Sequence, residues 1–121
     1  MKKLMLVMLL ALSPLSLAQA DELIGTYVAK LSSQDHFNSK GQRLRNAAAI
    51  IRQDRANFHK FHKRDAEDEW DSFFSSVKNR ARLERMLNNG YLSKSTKNRI
   101  VNGTPTIIVK IYLDNIVVDV Y

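Results

Sequence analysis

Three histidines, one central aspartate and a row of arginines and lysines carry the reactive chemistry of this chain. His36 follows Asp35 in a polar stretch, while Asp54, His59 and His62 lie in or beside a run whose apolar positions recur at helical spacing. An imidazole beside arginines is what phosphodiester cleavage requires: a base that titrates near neutral pH, with cations to take up phosphate charge. His36, Asp54 and His59, with Arg52 and Arg55 close by, are therefore the candidate residues of a small phosphodiesterase or ribonuclease-like hydrolase built around residues 35–59. His59 and His62 stand at i and i+3, a spacing that lets two imidazoles share a metal. A further ligand would have to come from elsewhere, and Arg52, Lys60 and Lys63 on the same stripe oppose a bound cation. No metal and no cofactor is expected.

Asp54 has a second reading. Rotating Leu44–Arg64 by about 100° per residue groups Ala47, Ile50, Ile51, Phe58 and Phe61 into one arc, with Asp54 in its middle. An ionised carboxylate buried there without a partner would cost several kcal/mol, a large part of a domain's net stability. The positions three and four away are Ile50, Ile51, Asn57 and Phe58, and none is a cation. Arg80 is the best partner, since it falls among Phe73, Val77, Ala81, Leu83 and Leu87 on the inner side of the next helix; Arg43, Arg45 and His36 are others. On this reading Asp54 and Arg80 form a structural tie between helices. The remaining cations make an anion-binding surface: Arg52, Arg55, Lys60, Lys63 and Arg64 on and after the first helix, Arg82 and Arg85 on the second. Phe58 and Phe61 are expected to face inward, and the only tryptophan, Trp70, sits in an acidic run. Base stacking and sequence-specific nucleic-acid binding are therefore not expected.

The elements that must position these groups follow from pattern. Ile24–Leu31 alternates as a strand, with Tyr27, Ala29 and Leu31 on one side. Ser32–Gly41 is polar and rich in turn formers, hence a loop. Helices are expected over Leu44–His62 and Phe73–Asn89, the second interrupted near Ser75 and Ser76 and closed by Gly90 as a left-handed C-cap. The acids of the connector between them, Asp65 to Glu69, precede a helix N-terminus, which favours negative charge. Ser93–Asn102 is suited to a short third helix. Thr106–Leu113 and Ile116–Tyr121 form a hairpin about Asp114-Asn115, a two-residue loop that sets Lys110 against Asp119 and Val109 against Val120. The outcome is an α+β two-layer domain, two main helices on a small antiparallel sheet ending in the hairpin.

Composition fits one domain. The chain has 121 residues, no cysteine, 45% hydrophobic and 26% charged residues, which excludes a disulfide scaffold, a low-complexity chain and a polytopic membrane protein. Its start reads as an export leader: Lys2 and Lys3, the apolar run Leu4–Leu12, then Ala18-Gln19-Ala20 with small residues where a signal peptidase cuts. Leu4–Ala18 is shorter than the about 20 residues a spanning helix needs. Residues 1–20 are thus expected to be a cleaved signal peptide and 21–121 a periplasmic or secreted domain without a membrane span. Cleavage takes Lys2 and Lys3 out of 19 Lys and Arg set against 12 Asp and Glu. A moderate positive excess remains, suited to an anionic polymer or an envelope protein as partner.

The run Asp35-His36-Phe37-Asn38-Ser39, followed by Ala47-Ala48-Ala49-Ile50-Ile51-Arg52-Gln53-Asp54-Arg55-Ala56-Asn57-Phe58-His59, resembles a group of small exported bacterial proteins of uncharacterised function. The similarity spans Tyr27 to Phe74. It implies an exported small domain and brings no activity, cofactor or catalytic residue. The functional expectation is a non-enzymatic exported binding module with basic helix faces, and the hydrolase is the alternative.

Overall fold

The computed structural model describes residues 22–121; the expected leader, residues 1–20, lies outside them. Three strands, β1 (Leu23–Lys30), β2 (Thr106–Tyr112) and β3 (Ile116–Val120), form one antiparallel sheet in the order β1-β2-β3. Between β1 and β2 the chain runs through a 3₁₀ turn (Ser33–His36) and three helices, α1 (Ala47–His59), α2 (Val77–Asn89) and α3 (Lys94–Asn102). The protein is mixed α+β, with helices on one face of the sheet and a hairpin at the C-terminal side. Alternation decides which face is covered: Tyr27, Ala29, Ile107, Val109, Ile111, Ile116 and Val118 are buried against Ile50, Ile51, Leu83, Leu87 and Ile100 of the helices. The third helix therefore contributes to the core along with the two main ones.

Helix boundaries are set by caps. Asn46 Oδ1 accepts from Ala49 N at 3.0 Å, Ser76 Oγ from Asn79 N at 3.3 Å and Ser93 Oγ from Thr96 N at 3.1 Å. Ser76 thus starts α2 four residues later than the apolar pattern implies. Gly90 ends it at φ −92°, outside the left-handed region. Its need for glycine is steric, because a Cβ there would stand 2.8 Å from the Met86 carbonyl oxygen. At the end of α1 it is His62 that turns left-handed, at φ 57°, and Lys63 N–H reaches back to the Asn57 carbonyl at 2.8 Å.

The hairpin register differs from the expected one by two residues. Ile111 pairs with Ile116, Val109 with Val118 and Lys110 with Val117, and Tyr112 N–H donates to the Asn115 carbonyl at 2.9 Å, so the strands are joined by residues 113–115. A two-residue type I′ loop would need positive φ at Asp114 and Asn115, and among the described non-glycine residues only His62 has it. A shift of two preserves the faces. Lys110 and Asp119, expected as a direct pair, still meet diagonally at 3.4 Å on the open face.

The two edges of the sheet are finished differently. Along β1, Val28 N–H donates to Glu69 Oε1 and Lys30 N–H to Asp68 Oδ1, each at 2.9 Å, while Glu69 N–H donates to the Val28 carbonyl at 2.8 Å. The acids of the connector therefore close a strand edge instead of flanking a helix N-terminus, which α2, starting only at Val77, places out of their reach. No described residue closes the edge of β3 in this way.

Candidate functional site

Asp54 is 1% exposed, as its place on the apolar arc requires, but its cation is its own neighbour. Arg55, 0% exposed, folds across the helix so that Nε donates to Asp54 Oδ2 at 2.9 Å, while Nη1 donates to Asp71 Oδ1 at 2.8 Å and to the Glu69 carbonyl at 2.9 Å. The guanidinium lies 4.0 Å from the Tyr27 ring centre and 4.6 Å from that of Phe58. His59 Nε2 meets the same Asp71 oxygen at 2.8 Å, and Asp71 Oδ2 accepts from Phe74 N–H at 2.6 Å. Burial opposes charge on Asp71, but the hydrogen bonds from His59, Phe74 and Arg55 outweigh it and hold its carboxyl below the usual range. Arg55 is likewise opposed by burial and held charged by its ring and carboxylate neighbours.

Beside this ion pair lies a second acid. Asp35 Oδ2 accepts from Ser32 N–H at 3.0 Å and Oδ1 from Asn57 Nδ2 at 2.8 Å. Burial pushes its carboxyl up to about 6, against the hydrogen bonds from Asn57 and Ser32. Asp54 is pushed well above its ordinary value, by burial first and also by Asp35, with Arg55 pulling the other way. Asp54 Oδ1 meets no N–H donor. Two neighbouring buried carboxyls resist ionising together, and Asp35 accordingly adds to the rise at Asp54. Next to them the two ring nitrogens of His36 each stand 2.8 Å from a carbonyl oxygen, of Ser32 and of Ile100. These two contacts pin the 3₁₀ turn to the C-terminal end of α3.

These placements correct several expectations. Arg80 does not pair with Asp54: its Nη1 donates to the Phe74 and Ser75 carbonyls, at 2.8 and 3.1 Å. Arg55 is sealed in the core and is not part of an anion-binding surface. His36, Asp54 and His59 serve the interior, and none of the larger surface grooves is lined by them. His62 stands beyond the end of α1, so it does not share a helix face with His59. Among the described residues no three His, Asp or Glu side chains gather as metal ligands. Of the remaining cations, Arg64 donates to the Asp68 carbonyl and stacks 4.7 Å from Phe58, Arg82 donates to the Leu113 carbonyl at 3.2 Å, and Lys63 and Arg85 are exposed.

One group of cations does converge. Arg52, Lys60 and Arg80 line a groove of about 310 Å³ between α1 and α2, with Ser39, Gln53 and Glu84. Arg52 is bound to Glu84 at 2.7 Å. Arg80 is only 5% exposed and faces no carboxylate within salt-bridge distance among the described residues. Burial lowers its pKa, and Arg52 lowers it further, while Asp71 helps only weakly. Phe61, expected inside, is 39% exposed and forms the groove's far wall, because α1 ends at His59 and the helical wheel does not extend to it. A second groove, of about 360 Å³, continues from it past Ser39, Gln53 and Phe61 to Phe37 and Lys63. Arg80 is legible in the sequence as a cation on an inner helix face, but the acid expected for it, Asp54, is held by Arg55. Compared with protein-family models, curated proteins and solved structures, the chain matches none of them.

Proposed function

We propose that the domain is an exported, non-enzymatic binding module that holds an anionic partner in the α1–α2 groove. The observation that carries this reading is Arg80: a nearly buried cation at the groove, beside a second guanidinium, with carbonyl oxygens for partners and no carboxylate within salt-bridge distance among the described residues. An anion supplied from outside would complete it, as a bidentate acceptor for a guanidinium fork. Lys60 and Lys63 extend the positive surface along the adjoining groove, which suits a polymer of repeated charge, whether an envelope polymer or an acidic face of an envelope protein. The leader pattern supports placement in the periplasm or outside the cell. His36, His59 and Asp54 are engaged in internal hydrogen bonds away from the groove, which favours binding over hydrolysis.

Calorimetric titration with tripolyphosphate and with poly-glutamate tests the reading. Affinity should fall as salt rises, and Arg52→Gln and Lys60→Gln should each weaken it several-fold, with Arg80→Gln weakening it most. Binding that ignores salt, or that survives all three substitutions, would overturn the proposal.

A further inference from the structure

The contrast between the two sheet edges leads to a second surface. In the β2–β3 ladder Tyr121 N–H bonds the Thr106 carbonyl, and Tyr112 N–H bonds that of Asn115. By the alternation of an antiparallel pair, Val117 and Asp119 point their backbone groups at β2, and Ile116, Val118 and Val120 point theirs outward. Their side chains face the core, so backbone donors and acceptors and an apolar border are presented together.

The ends of this edge carry matching charge. Arg82 of α2 is fastened to the Leu113 carbonyl just before β3, and Arg99 of α3 to the Tyr121 carbonyl just after it. Beyond the Tyr121 end opens a groove of about 600 Å³, lined by Arg99 together with Asn98, Asn102, Thr104 and Tyr121. Of the nearby acids, Asp119 lies on the open face and is held by Lys110, and Asp114 is exposed in the connection before β3. A second copy of the chain is a poor occupant. Antiparallel pairing of β3 with itself brings the Leu113 end of one copy to the Tyr121 end of the other, setting Arg82 against Arg99 on both sides of the seam.

We infer that the β3 edge receives an extended segment of another protein as a fourth strand, with small apolar residues at alternate positions and acidic residues at its ends for Arg82 and Arg99. Main-chain hydrogen bonds hold the segment and the two arginines set its register and direction. This surface is independent of the α1–α2 groove.

The probe is the capped peptide Ac-Glu-Val-Thr-Val-Thr-Val-Glu-NH2, titrated against the full domain and followed by amide chemical shifts. Binding should shift the N–H signals of Ile116, Val118 and Val120, fall at least tenfold when the peptide amides that face the edge are N-methylated, and fall several-fold in Arg99→Glu. Val118→Pro removes one edge donor and should weaken binding in the same way; the N-methylated peptide makes the same test without altering the protein. Arg52→Gln and Arg80→Gln should leave peptide affinity unchanged, which separates this site from the groove. Equal binding of the N-methylated peptide, shifts confined to α1 and α2, no binding, or concentration-dependent dimerisation through β3 would each overturn the inference.

Discussion

Arg55 and Arg80 are both hidden from solvent, yet one is ringed by counter-charge and the other by carbonyl oxygens. Arg55 joins Asp54, Asp71 and the Glu69 carbonyl under two aromatic rings. It draws residues from α1, β1 and the connector into one cluster. Arg80 holds only the turn before its own helix and keeps the rest of its fork toward a groove. The difference shows how one residue type in one domain meets burial in two ways: Arg55 with acids from two elements, Arg80 with main-chain carbonyls and, on the proposed reading, an anion from outside.

The sharpest way to break that comparison is Arg55→Leu. It leaves Asp54 and Asp71 in the core without their cation, so stability should fall by about 3–5 kcal/mol, read as a lost or greatly lowered urea midpoint. Arg80→Met should cost about 1 kcal/mol, the worth of its carbonyl bonds, while abolishing most anion affinity; comparable destabilisation in the two variants would erase the distinction.

Proton balance gives the next effect. Asp35 has an ordinary value of 3.8 and about 6 in the fold, so the native state holds more protons between these limits. Its contribution to stability is full below about pH 4 and is lost as pH rises through 6, and Asp54, raised by the same burial, acts in the same direction. Asp71, whose carboxyl is lowered, opposes this trend only in stronger acid. The unfolding free energy should therefore fall by on the order of 2 kcal/mol from pH 5 to pH 8, measured by denaturation across that range. Asp54→Asn removes one of the two raised carboxyls and keeps an acceptor for Arg55. It should change stability at neutral pH by less than about 1 kcal/mol and flatten the pH dependence. A steep profile retained in the variant would show that Asp54 does not contribute to it.

Much of the fold was legible because periodicity is a local property. Tyr27, Ala29 and Leu31 are buried as alternation requires, and Asp54 is buried as the helical arc requires; at the serines, where a break inside the second helix was expected, that helix instead begins. What escaped notice depended on events a wheel does not represent. Neighbouring helical residues point about 100° apart, so Asp54 and Arg55 did not read as a pair; Arg55 bridges the gap with its long side chain. The roles of Asp68 and Glu69 come from a strand that precedes them by some forty positions in the chain. The exposure of Phe61 follows from where α1 stops.

The strand order has a consequence for how the chain comes together. β1 is the first element and its ladder partner β2 is nearly the last, with residues 31–105, all the helices included, lying between them. Closing so long a loop is entropically costly before any native pairing rewards it, and domains dominated by such distant contacts fold slowly. The sheet cannot form until the C-terminal hairpin has been made available, and removing that hairpin should leave helices with no surface to pack on. A chain that emerges N-terminus first thus stays open until the C-terminal hairpin has appeared.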